Sequence, residues 1–194
     1  MSPVFPPAKT SSKSSIVIFG IWFAVVSGFS ALLVALHAVP LPASDAAPVV
    51  KDGNWRATHA LGADCGCSSA VADALLARSP RNGWKESVIL VGHQPSLAQQ
   101  LTAAGFAVEQ LSAEDFTRRT GLHGVPWLVV HTPDGETVYS GGYAPSRPGI
   151  DARTLFDTSI MDRVCRGETV AAYPSFGCAT SQALRARLDP LSLK

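Results

Sequence analysis

The 194-residue sequence predicts an α/β sandwich, with parallel strands first, an antiparallel hairpin afterwards and helices on the flanks, behind a single N-terminal transmembrane helix. Three observations predict it. A run without Asp, Glu, Lys or Arg extends from Ile16 to Val39. Beyond residue 52, strand-like and helix-like segments alternate, the order that gives parallel strands joined by helical crossovers. After Gly124, two apolar segments flank the turn residues "TPDG", which reads as a hairpin.

The apolar run is long enough to cross a bilayer core, for which roughly 20 residues suffice. A secretory signal peptide has a shorter apolar region of about 7–15 residues. An uncleaved anchor is therefore favoured over a signal cut after Ala46 ("SDA") and over a buried core helix. Lys9 and Lys13 precede the run, and no basic residue follows it before Lys51. Positive charge stays on the cytoplasmic side, so the remainder is exported. The expectation is a single-pass protein of a bacterial inner membrane with a periplasmic domain, where cysteine pairs can remain oxidised. The chain then divides into a cytoplasmic leader (1–15), the anchor (16–39), a Pro/Ala linker expected to be extended or disordered (40–52), the folded domain (53–166) and a C-terminal extension (167–194).

Charged residues make up 16% of the chain and the net charge is +1. Without Lys9 and Lys13, 14 basic residues face 15 acidic ones. No basic stripe appears, which argues against a nucleic-acid partner.

Within the domain, "WRATHAL" (Trp55–Leu61) predicts a strand that ends at two cysteines. "SSAVADALLAR" (Ser68–Arg78) predicts a helix with serine capping its start and Arg78 near its end. "SVILVG" (Ser87–Gly92) is a continuous apolar run, the pattern of a strand buried on both faces. "PSLAQQLTAAG" predicts a helix opened by Pro95 and stopped by Gly105. "SAEDFTRRTG" (Ser112–Gly121) carries acidic residues in its first turn and Arg118 and Arg119 in its last, so it predicts another. The hairpin "PWLVVH", "TPDG", "ETVYSGG" follows, then a last helix over Asp151–Gly167 and a short one near Ser181–Leu188.

Two of the four cysteines lie in "GADCGCSS", at Cys65 and Cys67, where a buried strand gives way to a helix. A helix N-terminus directs free N–H groups and the positive end of its dipole at such sulfurs, which favours thiolate. Side chains at i and i+2 on a helix diverge, whereas a disulfide needs Cβ atoms about 3.8 Å apart. Both cysteines therefore cannot lie within the regular helix when bonded, and Gly66 between them is best able to supply the unusual backbone angles. Strain of that kind favours reduction, while Asp64 beside the thiol disfavours thiolate. A second feature is "GVPW" (Gly124–Trp127) at the entrance to the hairpin strand; a cis proline there usually marks a site, but the sequence does not fix the isomer.

A strand ending in a cysteine pair at a helix start, a later Gly-Val-Pro before a hairpin and a closing helix together resemble the thioredoxin-like superfamily over about Trp55–Arg166. The resemblance implies that Cys65 attacks a substrate disulfide, that Cys67 resolves the mixed disulfide, and that Pro126, with Val125 before it, holds substrate backbone. With its N-terminal span, the chain resembles the membrane-tethered periplasmic thiol–disulfide oxidoreductases. The "FGCATS…LDPL" tail resembles that of RedB-type members. The implied partners are protein thiols and disulfides and a membrane redox partner, with no cofactor. One departure is plain: the family signature is Cys-x-x-Cys, and this chain has Cys-Gly-Cys.

A metal reading uses the same atoms. Two close thiolates and one imidazole suit Cu(I), and His123 falls near where the SCO-type copper chaperones, of the same fold, keep a ligand histidine. Those proteins use Cys-x-x-x-Cys. His93 is expected on the same edge, and His131 at the far end of the hairpin strand. Cys165 and Cys178 complete an even cysteine count, which in an exported domain favours a bridge worth on the order of 3 kcal/mol. In the alternative, Cys178 folds over the active edge and exchanges with Cys65 or Cys67.

Overall fold

A computed structural model describes residues 12–37, 40–43, 46, 51–145 and 155–188. The chain forms two units, Met1–Ala38 and Val39–Lys194. The first contributes α1 (Ser12–His37), whose stretch Ser15–Leu32 has a mean hydropathy of 2.1. Its large apolar side chains, among them Ile16, Phe19 and Phe23, are exposed. This helix is long and apolar enough to cross a membrane.

The second unit is an α/β sandwich, as the sequence predicts. Its central sheet has the order β3-β2-β1-β5-β6. Strands β1 (Trp55–Gly62), β2 (Trp84–Val91) and β3 (Ala107–Leu111) run parallel, β5 (Trp127–His131) is antiparallel to β1, and β6 (Thr137–Gly141) closes the hairpin. All five residues of β5 are buried, as its apolar run requires of a central strand. Strand β3 has no counterpart in the sequence expectation. "AVEQL" is an edge strand with largely exposed side chains, so it lacks the apolar signature that betrays the inner strands.

Alternate residues of each strand point to opposite faces, and the core divides accordingly. Ala57, Leu61, Val88, Leu90, Leu128 and Val130 pack on one face against α2 (Gly66–Leu76), α3 (Pro95–Ala103) and α5 (Asp157–Cys165). Ala60, Val91, Trp127 and Val129 pack on the other against α4 (Ala113–Thr120) and α6 (Gln182–Leu188). Crossovers of one hand that step the same way across a sheet share a face, which is why α2 and α3 lie together. Helix α4 follows its sequence signals closely. The Ser112 hydroxyl accepts from the Asp115 N–H at 3.0 Å, and Gly121 ends the helix at φ 73°.

Two expectations are corrected. Helix α2 begins at Gly66 with Cys65 as its N-cap, and no serine side chain caps it. The last helix begins only at Asp157, because the N–H of Phe156 is held by the carbonyl of Tyr143 at 2.9 Å; residues 151–154 of that expectation lie outside the described residues. Leu41, in the segment expected to be an extended or disordered linker, is buried, and its N–H donates to Ser175 O at 2.7 Å. Its side chain lies over Gly124, where a Cβ would stand 2.5 Å from Leu41 Cδ1.

A buried polar chain ties the sheet to α5. His59 Nδ1 lies 3.0 Å from the Tyr143 hydroxyl and Nε2 lies 3.3 Å from Glu86 Oε2. Arg78 bridges Glu86 and Asp157, both at 2.8 Å. Burial raises the Glu86 carboxyl, but His59, the Arg78 guanidinium and the Arg81 N–H outweigh it and hold the group at about 2.

Candidate functional site

The site is assembled at the carboxyl end of β1, where an open α/β sheet leaves its loops free to converge. The chain leaves β1 at Gly62, and the N–H of Ala63 is held by Val91 O at 2.9 Å. Cys65 then adopts extended geometry (φ −114°, ψ 112°) as the N-cap of α2, and its carbonyl accepts from the N–H groups of Ser68 and Ser69 at 2.9 and 3.1 Å. Cys65 is outside the helix and Cys67 inside it. Gly66 opens the helix without a positive φ and with open space around it, so its freedom is not used in this state.

Cys65 is only 3% exposed, whereas Cys67 is half-buried. The Cys65 thiol is held far below its ordinary value. The largest cause is the hydrogen bond with the Cys178 thiol, followed by that with Cys67; burial opposes them, and the Ser68 hydroxyl and N–H add to the lowering. The sulfur also lies 3.8 Å from Val125 O, which the protonated thiol reaches as donor. Asp64 is exposed and is not one of the main influences on Cys65, contrary to the opposition expected of it.

The Val125–Pro126 peptide is cis. Gly124–Val125 form a two-residue strand, β4, and pair antiparallel with β7 (Cys178–Ala179) of the C-terminal extension. Val125 stands opposite Cys178. The backbone edge beside Pro126, where the resemblance implies a substrate strand, is thus held by the chain's own tail. The hydroxyl of Ser175 donates to Pro126 O, and the Thr180 N–H donates to His123 O at 2.8 Å. A Cβ at Gly177 would stand 1.9 Å from Val125 O and 2.5 Å from Pro126 Cδ, so only glycine lets the tail lie this close.

The bridge expected between Cys165 and Cys178 is not made. Cys165 is an exposed thiol at the end of α5, while the β4–β7 pairing carries Cys178 to Cys65. His123 is exposed and contributes its backbone carbonyl to the tail. Among the described residues, no three His, Cys, Asp or Glu side chains converge to hold a metal ion, so the proposed Cys65–Cys67–His123 copper set is not assembled here. His93 is exposed on the loop after β2, and His131 is buried at the far end of β5.

Two contributors were not legible as such. Ser68, read as a helix cap, instead accepts from the Gly62 N–H at 2.9 Å and supports the Cys65 sulfur. Gly62 lies so close to Val125 that a Cβ there would meet Val125 Cγ2 at 2.8 Å. Beside these groups opens a cleft of about 470 Å³, lined by Cys65, Val91, Ala113, Val125, Cys178 and Leu188 among others. The Cys65 sulfur and the Cys178 thiol of the tail therefore line one cleft, and the Cys67 thiol on the helix is a hydrogen-bond partner of Cys65, an arrangement suited to thiol–disulfide exchange.

No family model and no curated protein matches the sequence. Among solved structures, the chain is similar to an uncharacterized conserved protein from Geobacillus kaustophilus, at 15% identity and a TM-score of 0.51 over 74% of this chain and 90% of that one. It is also similar to a hypothetical protein from Sinorhizobium meliloti 1021, at 16% identity and a TM-score of 0.50 over 74% and 93%. A secreted Mycobacterium tuberculosis disulfide oxidoreductase homologous to E. coli DsbE is a looser likeness, at 14% identity and a TM-score of 0.42 over 54% and 80%, too distant to argue from. At such identities the likeness speaks to the fold alone.

Proposed function

We propose that the protein is a thiol–disulfide oxidoreductase that uses Cys65 and Cys67 on exported protein substrates, tethered to a bacterial inner membrane by α1 with its folded unit in the periplasm. The observation that carries this reading is the environment of Cys65: a sulfur at a helix N-terminus, favoured as thiolate by its hydrogen bonds to other thiols and by Ser68, on the rim of a cleft. The Cys65 thiolate attacks a disulfide sulfur presented at that cleft, forming a mixed disulfide and releasing the other sulfur as thiolate. Cys67, as thiolate, then attacks Cys65 and forms the Cys65–Cys67 disulfide. Two electrons pass to the substrate, which leaves as a dithiol; the reverse sequence oxidises a dithiol. The Cys-Gly-Cys bond closes across the first turn of α2, so Gly66 must leave its helical geometry as the bond forms. A tethered domain calls for a membrane partner that exchanges thiols, in keeping with the RedB-type resemblance of the tail.

The test is exchange between the full chain in detergent and a disulfide-bonded protein, followed by thiol trapping. Cys65→Ser should abolish exchange, and Cys67→Ser should slow repeated turnover by at least tenfold, because no Cys65–Cys67 bond can form. Unchanged exchange by Cys65→Ser would overturn the reading.

A further inference from the structure

We infer that Cys178 is the substrate-facing member of a three-cysteine relay: it exchanges with the external disulfide first and passes the bond inward to Cys65. The inference rests on the oxidoreductase reading above and, for protein substrates, replaces direct attack by Cys65 with attack by Cys178 and transfer of the bond to Cys65.

The geometry that requires such a route is the burial of Cys65. At 3% exposure its sulfur is shielded from a protein substrate, whereas Cys178 is exposed. The tail that brings Cys178 there is held on both sides of it. Tyr173 O accepts from the Gly142 N–H at 2.8 Å, Ser175 is bonded to Pro126 O and to the Leu41 N–H, and Thr180 is bonded to His123. Gly177 permits the close approach to Val125, and Val125 is the residue whose carbonyl also faces Cys65. Cys178 therefore stands where the cysteine of a bound extended peptide would stand, on the strand that pairs with β4.

The same placement answers the difficulty of the Cys-Gly-Cys spacing. A Cys65–Cys67 bond must be closed between residues whose side chains diverge on the opening turn of α2. Cys178 approaches Cys65 from a separate strand, so a Cys65–Cys178 bond leaves α2 intact. The tail offers Cys65 the less constrained of its two partners.

Each step balances. The Cys178 thiolate attacks a substrate disulfide R–S–S–R′, forming Cys178–S–S–R and releasing R′–S⁻. The Cys65 thiolate attacks the Cys178 sulfur, forming Cys65–S–S–Cys178 and releasing R–S⁻. The Cys67 thiolate attacks the Cys65 sulfur, forming Cys65–S–S–Cys67 and regenerating the Cys178 thiolate. Two electrons leave the Cys65–Cys67 pair, and the only co-reactant is the substrate disulfide.

The experiment treats the full chain in detergent with oxidised glutathione or with a disulfide-bonded protein and maps the linkages by mass spectrometry after acid quenching. In Cys67→Ser the expected product is a Cys65–Cys178 disulfide in most molecules, formed without residual glutathione. In Cys178→Ser the Cys65–Cys67 bond should still form with glutathione, but exchange with the protein disulfide should slow at least tenfold. A Cys67→Ser product carrying glutathione on Cys65 and no Cys65–Cys178 bond overturns the relay and leaves the oxidoreductase reading standing, as does an unchanged rate for Cys178→Ser with the protein disulfide. Absence of any disulfide at Cys65 in the wild type overturns both.

Discussion

Gly177 passes Val125 so closely that a single methyl group on it would stand 1.9 Å from the Val125 carbonyl oxygen. That contact seats the C-terminal extension on β4 and sets Cys178 against Cys65. Gly177→Ala should therefore lift the tail. The expected loss of stability is about 1–3 kcal/mol, read from denaturant midpoints. Alkylation of Cys65 by a bulky maleimide should accelerate at least tenfold as its cover is removed. An unchanged labelling rate would show that the tail does not shield the sulfur.

Ser68 connects the loop to the helix. Its hydroxyl accepts from the Gly62 N–H and supports the Cys65 sulfur. Ser68→Ala leaves that N–H without its acceptor, which should cost about 1–3 kcal/mol. The pH midpoint of Cys65 alkylation should move upward, because a donor that favours the thiolate is gone. A midpoint that stays in place would remove Ser68 from the site.

Glu86 makes the fold sensitive to acid. Its carboxyl falls from an ordinary value of 4.5 to about 2 in the folded state. A depressed carboxylate contributes stability that is fully present above about 4.5 and is lost as pH falls toward 2. Glu86→Gln should cost about 3 kcal/mol near neutral pH, since it strips a buried charge partner from Arg78 and a bond from His59. It should also flatten the decline of stability between pH 4.5 and 2. A variant with the same acid profile as the wild type would contradict this assignment.

The anchor is tested by fractionation. Membranes carrying the full chain should retain it through an alkaline carbonate wash, and the N-terminus of the isolated protein should still precede Ile16. A soluble product beginning near Ala47 would instead identify α1 as a cleaved signal.

Much of the scaffold could be read from residue order because the physics is local. The apolar runs of β1, β2 and β5 and the end signals of α3 and α4 each act within a few residues. Strand β3 escaped notice because an edge strand such as "AVEQL" keeps its polar side chains in water and shows no buried face. The site was legible in its half contributed by Cys65, Cys67 and Val125, which "DCGC" and "GVPW" announce. Residue order favours Cys165 as the partner of Cys178, because pairing across more than fifty residues of chain depends on contacts that no spacing reveals: the glycine at 177, Ser175 on Pro126 O and Thr180 on His123. Leu41 was unreadable for the same reason, since its place is set by the missing side chain of Gly124.

The most direct measurement is an equilibrium titration of the full chain against a glutathione redox buffer, with the state of every cysteine mapped at each point. The expected result is one two-electron transition in which Cys65 passes from thiol to a disulfide with Cys67, lost entirely in Cys65→Ser while Cys165 stays outside the couple. A Cys65 that remains a thiol across the whole range, or that pairs only with Cys165, would contradict a redox site at the start of α2.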